Sequence, residues 1–164
     1  MTRLFILVVL AWLLVGCGAF KPYESVQTGP RAKVTISKNT NSAKLGVVIF
    51  EPDNTCDFTF MGRVDLKGEE NTRTIYMPAR RAYFRVSAKQ AGYHSIGLRD
   101  VSFVLEDNQE YSIEFEWKGA ESSWTGTKGL FDIKYLQHKS GDPSKPVEAD
   151  HFSICEREHG LPSD

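Results

Sequence analysis

Residues 110–118 read Glu110-Tyr111-Ser112-Ile113-Glu114-Phe115-Glu116-Trp117-Lys118. Successive side chains of an extended chain point to opposite faces, so Tyr111, Ile113, Phe115 and Trp117 share one side. Ser112, Glu114, Glu116 and Lys118 share the other. Such strict alternation is the mark of a half-buried β-strand. Asp107-Asn108 just upstream is turn chemistry.

The same period extends outward in both directions. Ala82, Phe84, Val86 and Ala88 alternate with Arg81, Tyr83, Arg85 and Ser87, and Val101, Phe103 and Leu105 continue the pattern. Ala32, Val34 and Ile36 oppose Lys33, Thr35 and Ser37. Phe131, Ile133 and Tyr135 oppose Asp132, Lys134 and Leu136. Phe58, Phe60, Gly62, Val64 and Leu66 are expected on one face of a strand, with Thr59, Arg63 and Asp65 opposite. Leu45 to Phe50 is a short apolar run, as in a central strand. Thr72 to Met77 is stopped by Pro78, and Tyr93 to Leu98 reads as a further short strand. Turn residues separate these pieces at Lys38–Ser42 and Pro52-Asp53-Asn54. About nine short strands with no amphipathic helix among them predict an all-β chain: a single antiparallel β-sandwich over residues 31–138. Gly119–Gly129 reads as a loop. In the tail, residues 139–164, Val147–His159 is either a short helix ended by Gly160 or an extended piece turning Phe152 and Ile154 inward.

Size and charge narrow the function classes. The chain has 164 residues, 20 Lys and Arg against 21 Asp and Glu, and 12% aromatic residues. That suits one domain. The near-balance of charge excludes a basic nucleic-acid binder, and the aromatic content excludes disorder.

The N-terminus carries a different signal. Arg3 is followed by an apolar run from Leu4 to Val15, too short to span a bilayer, which takes about 20 residues. A charge, a short apolar core and small residues describe a secretory signal. Leu14-Val15-Gly16-Cys17 resembles the lipobox of bacterial lipoproteins. That resemblance implies cleavage after residue 16, a diacylglycerol on Cys17, and a tether over residues 17–30 with Pro22, Gly29 and Pro30. It also implies a membrane partner through the N-terminal lipid. Gly18, where aspartate would resemble the inner-membrane retention signal, points to the periplasmic face of the outer membrane. Once Cys17 is assigned to lipid, Cys56 and Cys155 remain, and export to an oxidising compartment predicts a disulfide between them.

Met77-Pro78-Ala79 leading to Tyr83-Phe84-Arg85-Val86, then Gly92-Tyr93-His94, resembles small β-sandwich modules of the PEGA and prealbumin-like type. The order of turns over residues 44–136 is similar to that of single-domain β-sandwich lipoproteins. The resemblance implies a binding or structural module, not an enzyme.

Several constellations bear on chemistry. His151, Cys155 and His159 recur every four residues and would line one face of a helix, where imidazole and thiolate suit zinc or copper. The disulfide would consume the thiolate that such a metal needs. No Gly-x-Ser-x-Gly elbow occurs, and Ser95 beside His94 would point to the opposite face of a strand, so no catalytic group is expected. Arg81, Tyr83 and Arg85 share a strand face. They could contact anionic lipid or glycan, or form a solvated face paired to Glu114 and Glu116. Trp124, in the expected loop, is either a contact anchor or a cap on the sandwich. The reading is a lipid-anchored interaction module of the cell envelope. It needs no cofactor, and its partner is an envelope protein or glycan. The alternative is a lipoprotein that binds a small ligand or metal.

Overall fold

The computed structural model describes residues 21–90, 98–123, 126–139 and 142–159, with side chains omitted for Gln90, 121–123 and 126–129. Cys17, Trp124 and most of the strand expected at Tyr93–Leu98 lie outside the described residues. Among the described residues no helix is long and apolar enough to cross a membrane.

The expected all-β sandwich is what forms. The strands are β1 (Arg31–Lys38), β2 (Ala43–Pro52), β3 (Phe58–Leu66), β4 (Thr72–Pro78), β5 (Arg81–Gln90), β6 (Leu98–Val104), β7 (Glu110–Ser123), β8 (Gly126–His138) and the two-residue β9 (Lys145–Pro146). One sheet has the order β4-β1-β7-β8-β9, the other β3-β2-β5-β6. Every named pair is antiparallel except β1 with β7, which run parallel from Lys33↔Glu110 to Lys38↔Phe115. Parallel neighbours need a long connection between them, and here the whole second sheet and β4 intervene in sequence.

The alternation read from sequence maps onto the packing. Val34, Ile36, Ile113 and Phe115 of the first sheet meet Val47, Ile49, Phe84, Val86 and Phe103 of the second, all buried. Each such side chain contributes about 1.5–3 kcal/mol of hydrophobic stabilisation. Phe84 stacks on Phe103 with centroids 5.1 Å apart, and Phe115 on Phe131 at 5.7 Å.

Three departures matter for the site. First, β3 carries a bulge. Ile49 pairs with Gly62 and Phe50 with Phe60, leaving Met61 unpaired. Val64 and Leu66 point into the core as expected, but Phe58 and Phe60 are turned to the outer face with Phe50. One extra residue reverses which side every subsequent residue faces.

Second, residues 21–30 are not a free tether. The Tyr23 amide donates to the Arg63 carbonyl and the Arg63 amide to that of Lys21, each at 3.0 Å. The Val26 amide donates to the Tyr76 carbonyl, and the Tyr76 amide to Ser25 Oγ, also at 3.0 Å. β3 and β4 are the edge strands of the two sheets, so this segment straps one open side of the sandwich.

Third, the expected loop at Gly119–Gly129 is mostly ladder. After a shift between Trp117 and Gly119, β7 and β8 pair to Ser123↔Gly126.

The tail straps the opposite side. β9 pairs with β8, Asp150 exchanges two 2.8 Å backbone bonds with Ser102 of β6, and a short helix, α1 (Ile154–His159), follows.

Candidate functional site

The site is built where the two straps approach each other, at the end of the sandwich formed by the close of β2 and β4 and the start of β5. A cleft of about 470 Å³ opens there. Its floor is Ile49, Met77 and Ala82, core residues whose inward direction follows from strand alternation. Tyr23 from the first strap forms one wall, and Phe50 and Tyr83 another.

The rim is charged but self-neutralised. Arg80 meets Glu51 at 2.7 Å, and Arg81 meets Glu158 of α1 at 2.9 Å. Arg81 also donates to Asp150 at 2.9 Å, which ties β5 to the tail. Burial pushes the Tyr23 phenol above its ordinary range; Arg80 opposes that shift and Glu51 adds to it. Burial likewise raises the Tyr83 phenol, with Glu158 adding to the effect. Both phenols stay protonated at neutral pH.

Beside the cleft lies a second apolar cluster on the outer face of the β3-β2-β5-β6 sheet. Cys56 and Cys155 form the disulfide expected from cysteine counting, with Cα atoms 5.9 Å apart. Phe152 of the tail stacks on Phe58 at 4.7 Å and meets Tyr83 edge-on at 5.5 Å. The disulfide and this aromatic packing together hold α1 over β5.

The expected contact residues are placed differently from a free basic face. Arg81, Tyr83 and Arg85 do share one side of β5. Tyr83, however, is only 3% exposed beneath Phe152. Arg85 makes a bidentate pair with Asp100 of β6, both bonds 2.7 Å, and its guanidinium lies 5.5 Å from the Phe50 ring centre. The expected partners Glu114 and Glu116 belong to the other sheet, where Glu116 pairs with Lys134 at 2.9 Å. The error has a topological cause: β5 and β7 never neighbour one another.

The metal alternative is also rearranged. Sγ of Cys56 and Cys155 and the imidazole of His159 lie within 4.8 Å of one another, whereas His151 is not in the group. His151 precedes α1 and accepts from the Ser153 amide at 3.4 Å. In the disulfide form neither sulfur is a thiolate, so the donor set that zinc requires is not present.

Comparison of the chain with protein-family models, with curated proteins and with solved structures finds no match. The cleft residues Tyr23, Glu51 and Glu158 escaped the sequence reading. The sequence feature that could have pointed to Tyr23 is an aromatic residue inside a polar, proline-containing stretch.

Proposed function

We propose that this chain is a lipid-anchored interaction module of the cell envelope, held at a membrane through Cys17. The observation that carries the reading is Leu14-Val15-Gly16-Cys17 behind a short apolar run, only four residues before the strap begins at Lys21. Four residues reach at most ~14 Å when fully extended. An acylated Cys17 would thus keep the strapped end of the sandwich, and the cleft with it, close to the bilayer. Buried acyl chains supply ~0.8 kcal/mol per methylene, so two or three chains make the attachment effectively permanent. A rigid sandwich stapled by Cys56–Cys155 suits an oxidising compartment.

The test is Cys17→Ser in the full-length protein. Loss of the acyl mass and transfer of the protein from the membrane to the soluble fraction is the expected result. A Cys17→Ser protein that stays acylated and membrane-bound overturns the reading.

A further inference from the structure

We infer that Cys56, Cys155 and His159 form a zinc site that becomes available when the disulfide is reduced. Both sulfurs and an imidazole nitrogen of His159 lie within 4.8 Å of one another. Two elements bring them together. Cys155 and His159 are four residues apart on α1 and share a face, and Cys56 comes from the turn between β2 and β3. Two thiolates and one imidazole, with the fourth position left to water, are a donor set that zinc takes. The two thiolate charges cancel those of the ion, so no uncompensated charge is left beside Phe58 and Phe152. His159 is exposed and gives the ion its way in. Among the described residues its ring nitrogens have no hydrogen-bond partner.

The donors are held by more than the crosslink. Asp53 Oδ1 accepts from the Thr55 and Asp57 amides and fixes the turn that carries Cys56. Phe152 stacked on Phe58, the Arg81–Glu158 ion pair and the backbone bonds between Asp150 and Ser102 hold the tail that carries α1. Opening the site takes a dithiol reductant. It delivers two electrons and two protons to the Sγ–Sγ bond and is itself oxidised to a disulfide, leaving two thiols here. Cys56, 9% exposed against 0% for Cys155, is the sulfur it attacks. Zinc then displaces one proton from each thiol to solvent, and the ion replaces the covalent link between turn and tail.

The test compares the purified full-length protein in its oxidised form with the same protein reduced by dithiothreitol, the reagent being removed under nitrogen. Zinc is titrated against a chromophoric chelator, and cobalt(II) is the spectroscopic probe. The reduced protein should take up one zinc per chain, and the oxidised protein should bind about a hundredfold more weakly. Cobalt should give a sulfur-to-metal charge-transfer band together with tetrahedral d–d bands. His159→Ala, at the exposed end of α1, should weaken zinc about tenfold with its β-sheet circular dichroism kept. His151→Ala and Cys17→Ser should leave the affinity unchanged. Equal binding in the two redox states, a cobalt spectrum without the sulfur band, full affinity in His159→Ala, or lost affinity in His151→Ala or Cys17→Ser overturns the proposal. So does a reduced protein that loses its sheet and does not regain it with zinc.

Discussion

Cys56 is the residue on which the C-terminal tail hangs, and its backbone is held at φ 62°, a left-handed conformation that costs a non-glycine residue ~1–2 kcal/mol. The turn around it offsets that cost. Asp53 Oδ1 accepts from the Thr55 amide and the Thr55 hydroxyl at 2.7 Å each, and from the Asp57 amide at 3.1 Å. These bonds, the Thr55 hydroxyl foremost, hold the Asp53 carboxyl below its ordinary value of 3.8, with His159 adding a smaller pull in the same direction. A carboxyl depressed in the folded state contributes stability above its unfolded value, and that contribution is lost as pH falls through the folded one. Thr55→Val removes the leading cause. A carbon-detected NMR titration should then find Asp53 moved up toward 3.8, and acid unfolding should begin at higher pH. An Asp53 titration identical in the two proteins would show that the hydroxyl is not what depresses it. The Cys56–Cys155 pairing was legible by counting thiols, whereas the left-handed turn was not, since Asp53-Asn54 announces a turn without specifying which residue takes the unusual angle.

The strands were legible wherever alternation is enforced by a core on one side only, as in β1 and the first half of β7. Alternation cannot see a bulge. Phe58, Phe60, Val64 and Leu66 sit at even spacing, yet the unpaired Met61 puts the phenylalanines on the outer face, where Phe58 stacks on Phe152. The far part of β7 was missed for a related reason. Its pairing with β1 stops at Phe115, so residues beyond have a neighbour strand on one side only, and nothing requires the apolar period to continue. The bulge also explains Gly62. At φ +151° and with the first strap crossing directly over it, a Cβ there would come within 2.5 Å of Tyr23 Cα and 2.8 Å of Tyr23 N. Gly62→Ala must therefore push the strap off β3 or shift the strand. A loss of about 1–3 kcal/mol in denaturant unfolding is expected. Faster amide exchange at Arg63 and Tyr76, whose amides bond to Lys21 and Ser25, should accompany it. Wild-type stability and exchange in Gly62→Ala would mean that the strap is not seated on β3.

A sandwich of two sheets has four edge strands, and uncovered edges template association with other chains. Here both termini are used against that. Residues 21–30 cross from β3 to β4 on one side, and the tail crosses from β8 through β9 to Ser102 of β6 on the other before the disulfide fixes it to Cys56. Neither role was legible, because a strap made of edge hydrogen bonds needs no hydrophobic period and reads as linker. The two straps differ in how they are secured. The first relies on hydrogen bonds and Tyr23, whereas the second closes a loop between cysteines 99 positions apart. On the chain-entropy model such a crosslink is worth ~4–5 kcal/mol, and removing native disulfides costs about 2–5 kcal/mol in practice. Cys155→Ser removes the crosslink and also puts a hydroxyl at a site with no solvent exposure, whereas Cys56→Ser changes the more accessible partner. Both variants should unfold at lower denaturant, Cys155→Ser at the lowest. In both, the Ser102 amide should exchange faster than those of β1, which the tail does not touch. Loosening of β9 and of the Asp150 bridge bares β6 and β8, so sedimentation should show more concentration-dependent association in the variants than in the disulfide-bonded protein. If the serine variants stay as stable as the parent and associate no more than it does, the tail is held without the crosslink, by Phe152, the Arg81 ion pairs and its backbone bonds to β8 and β6.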